Sequence, residues 1–412
     1  MLTNMLTVSE VALKIGVSPD TIRRWDRANL IRSIRTKNNH RIFLEEEVRS
    51  YSNKLHGAYT SDYKILREPV MTNYTTVELF TGAGGTALGL EHAGLKQLMN
   101  VEIDRNAVDT LRTNRPEWNV VHDDISNVEF KGIQADIVEG GFPCQSFSYA
   151  GKKMGFDDVR GTLFFEFARA VKEIQPKIFV GENVKGLESH ENGRTLQTMI
   201  SVLSEIGYKV VYKVLRAQYH DVPQKRERLI ILGVRNDLDL QFIFPKERNY
   251  IITLKEALEN VPDSVGQGYS DKKKQVFDMV PPGGYWKDLP EDVAKAYMQK
   301  SYFLGGGKTG MARRLSWDEP SLTLTCSPSQ KQTERCHPAI TRPLTIREYA
   351  RIQTFPDDWV FKGSISAQYK QIGNAVPSNL AYHIGRSVIA MLENSFDEET
   401  MVKAEPSQAS LF

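Results

Sequence analysis

From residue 75 onward, short apolar segments alternate with longer stretches of helical periodicity. The apolar segments have the length of single β-strands and lie at 76–80, 97–101, 135–140 and 177–180. Each is followed by a polar or helical stretch, and such alternation is typical of a parallel sheet covered by helices. Helical periodicity returns at 345–355 and 378–392. The pattern therefore predicts an α/β domain built on a mostly parallel sheet.

The first 57 residues follow a different pattern, in which two helices precede two short strands. An apolar repeat that ends at Ile15 predicts the first helix, and Ser18 is a suitable cap for a second helix over 19–28. The apolar stretches 31–35 and 41–44 then flank a polar turn, as in a small β-wing. This order indicates a winged helix-turn-helix over 1–57.

Charge and resemblance both point to DNA at this end of the chain. Residues 1–57 carry ten Lys and Arg residues against six Asp and Glu residues, whereas the whole chain has a net charge of only +2. The segment resembles the winged helix-turn-helix of MerR-type regulators, and the resemblance implies DNA contact through Arg23 and Arg24 on the second helix. The same shape also serves as a packing module, so this alternative stays open.

The remaining domain boundaries follow from further changes in the pattern. Residues 58–74 have few periodic apolar positions and are predicted to form a linker. Residues 245–341 interrupt the α/β alternation with glycine clusters and scattered aromatic side chains, which indicates an inserted domain. The α/β domain then comprises 75–244 and 342–394. The tail at 395–412 is acidic and then polar, and it is predicted to be disordered.

Composition excludes several classes of protein. Apolar residues make up 41% of the 412 residues and charged residues 25%, as in ordinary globular proteins. No apolar run approaches the roughly 20 residues that span a bilayer, and the N-terminus does not resemble a signal peptide, so we expect a cytoplasmic protein without a membrane partner. Cys326, Cys336 and His337 lack a fourth ligand at a typical spacing. We therefore expect no metal site.

A glycine-rich loop follows the first predicted strand of the α/β domain. Gly82, Gly84 and Gly85 allow the backbone to turn sharply and to approach a ligand closely, as in nucleotide-binding α/β folds. Glu102 ends the next strand, where a carboxylate can hold ribose hydroxyls, and Asp124 follows a third strand. These features in this order predict an adenosine-containing ligand. The alternative is a glycine turn beside two solvated carboxylates.

Cys144 lies in a loop directly after the strand predicted at 135–140. A free cysteine is most often a small buried hydrophobic residue, but the adjacent Pro143 and a glycine pair favour a rigid, exposed loop. Loops that leave the strands of a parallel sheet lie where such folds bind ligands. Cys144 is therefore a candidate nucleophile.

Seven short motifs together resemble those of the DNA (cytosine-5)-methyltransferases of bacterial restriction–modification systems. Between residues 75 and 392 they follow the family's order: Phe80-Thr81-Gly82-Ala83-Gly84-Gly85, Gly141-Phe142-Pro143-Cys144-Gln145, Glu182-Asn183-Val184, Gln224-Lys225-Arg226-Glu227-Arg228, Arg342-Pro343-Leu344-Thr345, Gln353-Thr354-Phe355-Pro356 and Gly373-Asn374-Ala375-Val376-Pro377. The resemblance implies the S-adenosylmethionine-dependent methyltransferase fold, which is Rossmann-like with a mostly parallel sheet. Residues 75–244 and 342–394 would then be the catalytic domain, and 245–341 the target-recognition domain.

The resemblance also implies a reaction and the residues that carry it. Cys144 would add to carbon 6 of a flipped cytosine, and Glu182 would protonate nitrogen 3, before carbon 5 receives a methyl group from S-adenosylmethionine. Arg226 and Arg228 would share one face of a strand and stabilise the developing charge. The implied cofactor-binding residues are Phe80, Thr81, Gly82, Gly84, Gly85, Glu102, Ile103, Asp124, Ile125, Pro143, Leu163, Asn374 and Val376.

Double-stranded DNA is the implied partner. The implied contacts are Gln145, Ser148 and Arg160 near the cysteine and Thr323 in the inserted domain, and candidates for reading bases are Arg313, Arg314, Lys331, Gln332 and Arg335.

We expect a monomer, in the cytoplasm with the nucleoid, that protects host DNA from a cognate restriction endonuclease without a stable complex. The N-terminal domain would repress the protein's own gene. An RNA cytosine methyltransferase and a non-catalytic DNA-binding regulator are the alternatives.

Overall fold

The structure, a computed structural model, describes residues 5–15, 18–27, 31, 33–36, 40–44, 48, 63–142 and 162–405. The chain divides into two units, Met1–Asp62 and Tyr63–Phe412. Among the described helices, none combines the length and the apolar character needed to cross a membrane. Within the same residues, no group of His, Cys, Asp and Glu side chains is arranged to hold a metal ion.

The N-terminal unit contains two helices and a small antiparallel sheet with the strand order β1-β3-β2. Ser18 caps the second helix, because its hydroxyl accepts a hydrogen bond from the Thr21 amide at 3.2 Å. Val11, Ile22, Trp25 and Phe43 form the centre of its core. The elements are β1 (Met5–Thr7), α1 (Val8–Ile15), α2 (Pro19–Arg27), β2 (Ile34–Arg35) and β3 (Arg41–Leu44).

A seven-stranded sheet organises the second unit, with the strand order β6-β5-β4-β7-β8-β11-β9. The first five strands in this order are parallel, and β11 runs antiparallel to both β8 and β9. The mostly parallel α/β fold is therefore confirmed. The strands are β4 (Thr75–Leu79), β5 (Lys96–Glu102), β6 (Val120–His122), β7 (Ile137–Gly140), β8 (Ile178–Val184), β9 (Tyr208–Arg216), β10 (Gln224–Lys225), β11 (Glu227–Arg235), β12 (Phe242–Pro245), β13 (Ser321–Leu322) and β14 (Met401–Ala404).

Helices cover both faces of this sheet. Those of the described second unit are α3 (Gly85–His92), α4 (Arg105–Asn114), α5 (Leu163–Ile174), α6 (Arg194–Glu205), α7 (Leu254–Ala257), α8 (Asp271–Asp278), α9 (Glu291–Met298), α10 (Ile346–Ile352), α11 (Ile365–Asn374) and α12 (Ser378–Glu393). Helices α5 and α6 pack on one face, and α3 and α12 on the other. The axes of α3 and α12 come so close that a Cβ atom on Gly89 would lie 2.3 Å from the Ser378 carbonyl oxygen.

The inserted region has a small core of its own. Phe277, Val280, Leu289 and Ala294 pack there around the buried Cys336. Burial raises the pKa of the Cys336 thiol to about 11, so this sulfur is a packing group at neutral pH. The region returns to the main body at β13, which pairs in parallel with β10.

Two predicted boundaries are wrong. Residues 63–74 are not a free linker, since the Leu66 and Thr72 amides donate hydrogen bonds to Asn379 Oδ1 and the Gly94 carbonyl at 3.0 and 2.7 Å. The tail at 395–412 is not disordered throughout, because β14 pairs in antiparallel register with β12. Here a tertiary partner orders segments whose local pattern is weak.

Candidate active site

A cleft of about 1060 Å³ opens at the carboxyl ends of β4 and β7. Strand β4 lies between β5 and β7 in the sheet. The chain continues from β4 to β5 on one side and from β7 to β8 on the other, so the strand order changes direction between β4 and β7. Ligands of open α/β sheets bind at such a switch of strand order. The glycine loop follows β4, and the loop with Cys144 follows β7. The topology therefore brings the glycine loop and the described start of the second loop, Gly141 and Phe142, to one crevice.

The glycine loop turns tightly and leads straight into α3. Gly82 and Gly84 have φ values of 57° and 86°, in the left-handed region that glycine adopts at little cost. A Cβ atom on Gly85 would lie 2.2 Å from the Val376 carbonyl oxygen, so this glycine lets the loop pack against the Asn374–Pro377 segment. Gly84 packs toward Leu111 and does not line the cleft.

Two of the predicted carboxylates are held by backbone amides at the rim. The oxygens of Glu102 accept hydrogen bonds from the amides of Gly82 and Asp104, each at 2.7 Å. The Ser126 amide and hydroxyl donate to Asp124 and lower the pKa of its carboxyl group. The predicted cofactor-binding residues found in the cleft wall are Phe80, Thr81, Gly82, Gly85, Glu102, Ile103, Asp124, Ile125, Leu163, Asn374 and Val376.

Five predicted site residues lie outside the described residues, namely Pro143, Cys144, Gln145, Ser148 and Arg160. The start of their loop is described. Asn183 Nδ2 donates a hydrogen bond to the Phe142 carbonyl at 2.8 Å, and the Phe142 ring packs against Phe164 and Phe167. The backbone is therefore anchored two residues before Cys144.

Glu182 lies against this anchored backbone. A Cβ atom on Gly141 would lie 3.0 Å from Glu182 Oε2, so the carboxylate lies next to the backbone of Gly141. Gly141 precedes Cys144 by three residues in the sequence. Arg228 Nε forms an ion pair with Glu182 Oε1 at 2.5 Å, and both side chains are largely shielded from solvent. Strands β8 and β11 are neighbours in the sheet and hold the two groups together.

Arg226 also lines the cleft, but its surroundings differ from those of Arg228. It precedes β11, is 2% exposed, and donates hydrogen bonds to the carbonyls of Leu324 and Asn374, both at 3.3 Å. Its Nε has no hydrogen-bond partner within the described residues. Burial lowers the pKa of its guanidinium, Arg228 lowers it further, and Glu182 opposes both. The expectation that one strand carries both arginines is wrong, because β11 begins after Arg226.

The predicted DNA contacts are distributed over both units. Thr323 lines the cleft and its hydroxyl donates to the Lys225 carbonyl at 2.6 Å. In the N-terminal unit, Arg23 is exposed on α2 and bonds to Asp20, and Arg24 is half-buried on the same helix.

Two of the candidates for reading bases are wrong. Arg314 is 5% exposed and donates to the carbonyls of Phe277, Val280 and His337, so it holds the inserted domain together. Arg335 is 5% exposed as well and donates to the Thr323 carbonyl. A local pattern cannot separate such buried arginines from exposed ones.

The cleft also contains groups that the motifs do not indicate. Glu78 and Glu139 line its floor, and Cys326 Sγ donates to Asn374 Oδ1 at 2.9 Å. In the sequence, each of the two glutamates is marked only as an acidic residue among the apolar residues of its strand. Cys326 carries no such signal, since it reaches the cleft only through the pairing of β13 with β10.

The sheet order and the cleft define the class, an α/β enzyme with its site at the carboxyl ends of parallel strands. Residues 74–390 match the family model "C-5 cytosine-specific DNA methylase", and residues 7–43 match that of the MerR family regulatory proteins. The chain belongs to the C-5 cytosine-specific DNA methylases and is a DNA (cytosine-5)-methyltransferase.

Relatives of known name resemble the chain over nearly its whole length. It is 56% identical to the Type II methyltransferase M.Eco47II of Escherichia coli over 95% of this chain and 97% of that protein. It is 52% identical to the Type II methyltransferase M.Sau96I of Staphylococcus aureus over 86% of each. The S. pombe Dnmt2 methyltransferase shares the fold, with a TM-score of 0.52 and 18% identity over 78% of this chain and all of that one.

Proposed function

We propose that this enzyme transfers a methyl group from S-adenosylmethionine to carbon 5 of a flipped cytosine within a short, specific sequence of double-stranded DNA. The observation that carries this proposal is the Glu182–Arg228 ion pair, which lies against the backbone three residues before Cys144. It provides a carboxyl group and a cation where the loop with the proposed nucleophile begins. The family assignment favours DNA over the RNA alternative.

The cleft fits S-adenosylmethionine. Glu102 would hold the ribose hydroxyls, because its oxygens are already oriented by two amides and keep lone pairs free. Ile103 and Leu163 are 62% and 38% exposed, and they would cover the two faces of the adenine ring. Asp124 would accept from the adenine amino group, and Asn374 and Val376 would line the methionine end. The cofactor supplies an electrophilic methyl group.

The protein would activate the cytosine through its own side chains. The Cys144 thiolate adds to carbon 6, and Glu182 donates a proton to nitrogen 3, so that carbon 5 becomes nucleophilic. Arg228 holds the Glu182 carboxylate in position, and Arg226 presents positive charge from a buried site. After methylation a base removes the carbon 5 proton, and the sulfur is expelled.

Cytosine must leave the base stack before this chemistry, and the enzyme would stabilise the opened duplex. Gln145, Ser148 and Arg160 would contact the DNA around the vacated position, and Thr323 would contact it from the inserted domain. Lys331 and Gln332 are exposed in that domain and remain candidates for reading bases.

We further propose that the methylation protects host DNA from a cognate restriction endonuclease. Support comes from the relatives, which are named Type II methyltransferases. The enzyme would act as a monomer in the cytoplasm, with the nucleoid, and without a stable complex with the endonuclease. Restriction challenge of cells that carry the endonuclease with and without this enzyme tests the protective role.

A covalent adduct tests the chemistry directly. A duplex in which 5-fluorocytosine replaces cytosine should trap the enzyme, because fluorine cannot leave carbon 5 as a proton does. With S-adenosylmethionine present, we expect a complex that survives denaturing electrophoresis. Cys144→Ser should form none yet still bind the cofactor, whereas Cys326→Ser should keep the adduct. A Cys144→Ser adduct would remove this residue from the mechanism.

The N-terminal unit supports a second activity, repression of the enzyme's own gene. It matches the MerR family model, and α2 presents Arg23 on its exposed face. We expect the double variant Arg23→Ala/Arg24→Ala to lose occupancy of its own promoter and to retain methylation. Unchanged promoter occupancy, measured by footprinting, would rule this activity out.

A further inference from the structure

A row of three buried polar side chains crosses the middle of the parallel sheet. Glu78 on β4 is in register with Asn100 on β5 and with Glu139 on β7. Residues in register on neighbouring strands project to the same face and lie about 5 Å apart. The three are 1%, 0% and 2% exposed, respectively. They therefore form one continuous polar cluster inside the protein.

The hydrogen bonds of this cluster are incomplete. Glu78 accepts a bond from the Ala87 amide in the first turn of α3. Its second oxygen, Oε2, has no partner within the described residues, and neither have the amide oxygen and nitrogen of Asn100. Buried polar atoms without partners are rare in native proteins, and each calls for an explanation such as an ordered water, an ion or a catalytic role.

Two adjacent buried carboxyl groups cannot both ionise at low cost. Burial raises the pKa of both Glu78 and Glu139 well above the usual range, and Glu139 is raised further by the charges of Glu78 and Glu182. Among the described residues, no cationic side chain lowers the pKa of either glutamate. Arg228 pairs with Glu182, and the charged residues of α3 lie in its last turn.

Two members of the cluster border the cofactor cleft. Glu78 and Glu139 both form part of the cleft wall. Among the described wall residues, the carboxylate side chains number seven and the cationic side chains three: Glu78, Glu102, Asp104, Asp123, Asp124, Glu139 and Glu182 against Arg226, Arg228 and Lys370. Such a wall favours a ligand with net positive charge, as the sulfonium cofactor has.

We propose that Glu78 and Glu139 share one proton in the free enzyme and release it to solvent when the positively charged cofactor binds. The proton then leaves the carboxyl pair as a cation enters the cleft, so the total charge of the site is conserved. This inference rests on the proposed cofactor. It adds that two residues outside the motifs quoted above couple cofactor binding to the release of a proton.

Calorimetry of the full-length enzyme tests the coupling. S-adenosylmethionine is titrated at one pH in two buffers that differ in ionisation enthalpy, and the difference in heat gives the number of protons released. We expect a release that approaches one proton per bound cofactor, and an affinity that rises up to about tenfold per pH unit while the pair titrates. The thioether product, which lacks the sulfonium charge, should release fewer protons.

Single substitutions locate the proton. Glu139→Gln keeps the shape of the protonated side chain but cannot ionise, so we expect the release to vanish and the affinity to become nearly independent of pH. Glu78→Gln, whose amide oxygen can still accept from Ala87, should behave alike. The exposed Glu188→Gln is the matched control and should release protons as the wild-type enzyme does.

The outcomes separate this inference from the proposed function. Equal heats in both buffers, with normal cofactor affinity, would overturn the shared proton and leave the methyltransferase reaction intact. Absence of any binding would instead contradict the proposed cofactor. A second readout needs no cofactor: Glu139→Gln should raise the thermal midpoint of the free enzyme by a few degrees at pH 8, because the variant no longer has to take up a proton when it folds. An unchanged midpoint would count against the pair.

Discussion

Arg226 and Arg228 are separated by one residue, yet the fold gives them different tasks. Arg228 reaches across from β11 to the carboxylate of Glu182 on β8. Arg226 is buried between two carbonyls, one from the inserted domain and one from the last residue of α11. Arg228 thus holds the proposed proton donor in place, and Arg226 connects two parts of the chain that line the cleft.

At this residue scale, Glu182→Gln tests the proton donor. The amide keeps the size of the side chain but cannot deliver a proton to nitrogen 3, and general acid catalysis contributes about 10²- to 10⁴-fold. We expect kcat to fall by that factor, while the affinity for the cofactor changes little. Single-turnover methylation and cofactor titration measure the two effects.

Glu227→Gln is the matched control for this substitution. Glu227 neighbours both arginines in sequence, but its carboxylate pairs with Lys185 at 3.0 Å and does not line the cleft. Its methylation rate should stay within a factor of about two of the wild type, as expected for an exposed ion pair. A Glu182→Gln rate equal to that of this control would exclude Glu182 as the donor.

At the scale of elements, the last described strand shows what tertiary pairing adds. Strand β14 pairs with β12 over four residues, and the partner strand contributes the buried Phe242, Ile243 and Phe244 to the core on the α12 side of the sheet. Without β14, the edge of β12 would expose unpaired backbone groups and apolar surface. The tail therefore closes the α/β domain.

Two truncations measure the contribution of this strand. A chain that ends at Glu405 retains β14, whereas a chain that ends at Glu399 lacks it. We expect the shorter chain to lose about 1–3 kcal/mol of stability, as for other losses of buried contacts, and to melt several degrees lower. Equal melting temperatures in differential scanning calorimetry would show that β14 contributes nothing to the fold.

The strands show how much of the fold local pattern predicts. All four apolar segments of the α/β domain are strands, each within a few residues of its predicted bounds, because burial on both faces leaves continuous apolar runs in the sequence. The pattern does not indicate β14, in which only Met401 is buried, nor the docking of 63–74. Both depend on a partner that lies far away in the chain.

At the scale of the whole molecule, buried titratable groups limit stability from both sides of neutral pH. Burial lowers the pKa of His92, His220 and His337 to about 4. In the unfolded chain these histidines take up a proton near pH 6.5, whereas in the folded protein they stay neutral down to about pH 4. The folded state therefore has its full stability above pH 6.5 and loses it as the pH falls toward 4. The raised pKa values of Glu78 and Glu139 act in the opposite sense, because the folded protein loses stability as the pH rises and these buried carboxyl groups ionise.

The acid side of this profile is testable. We expect the melting temperature to decrease as the pH falls from 6.5 to 4.5, with each buried histidine contributing up to about 3 kcal/mol. His220→Gln should flatten the decrease, because the glutamine amide can donate to the Arg216 carbonyl but cannot ionise. The exposed His190→Gln serves as the control. A melting temperature that is constant over this range would contradict the role of the buried histidines.

Local sequence is enough to identify the class of fold, the order of the functional motifs and the types of side chain that the chemistry needs, because periodicity and motifs are local properties of a chain. Which of these groups meet depends on the tertiary fold. The ion pair of Glu182 and Arg228, the burial of Arg226 and the pairing of Glu78 with Glu139 all depend on the order of strands in the sheet. That order is set by packing between distant segments, which no local pattern encodes.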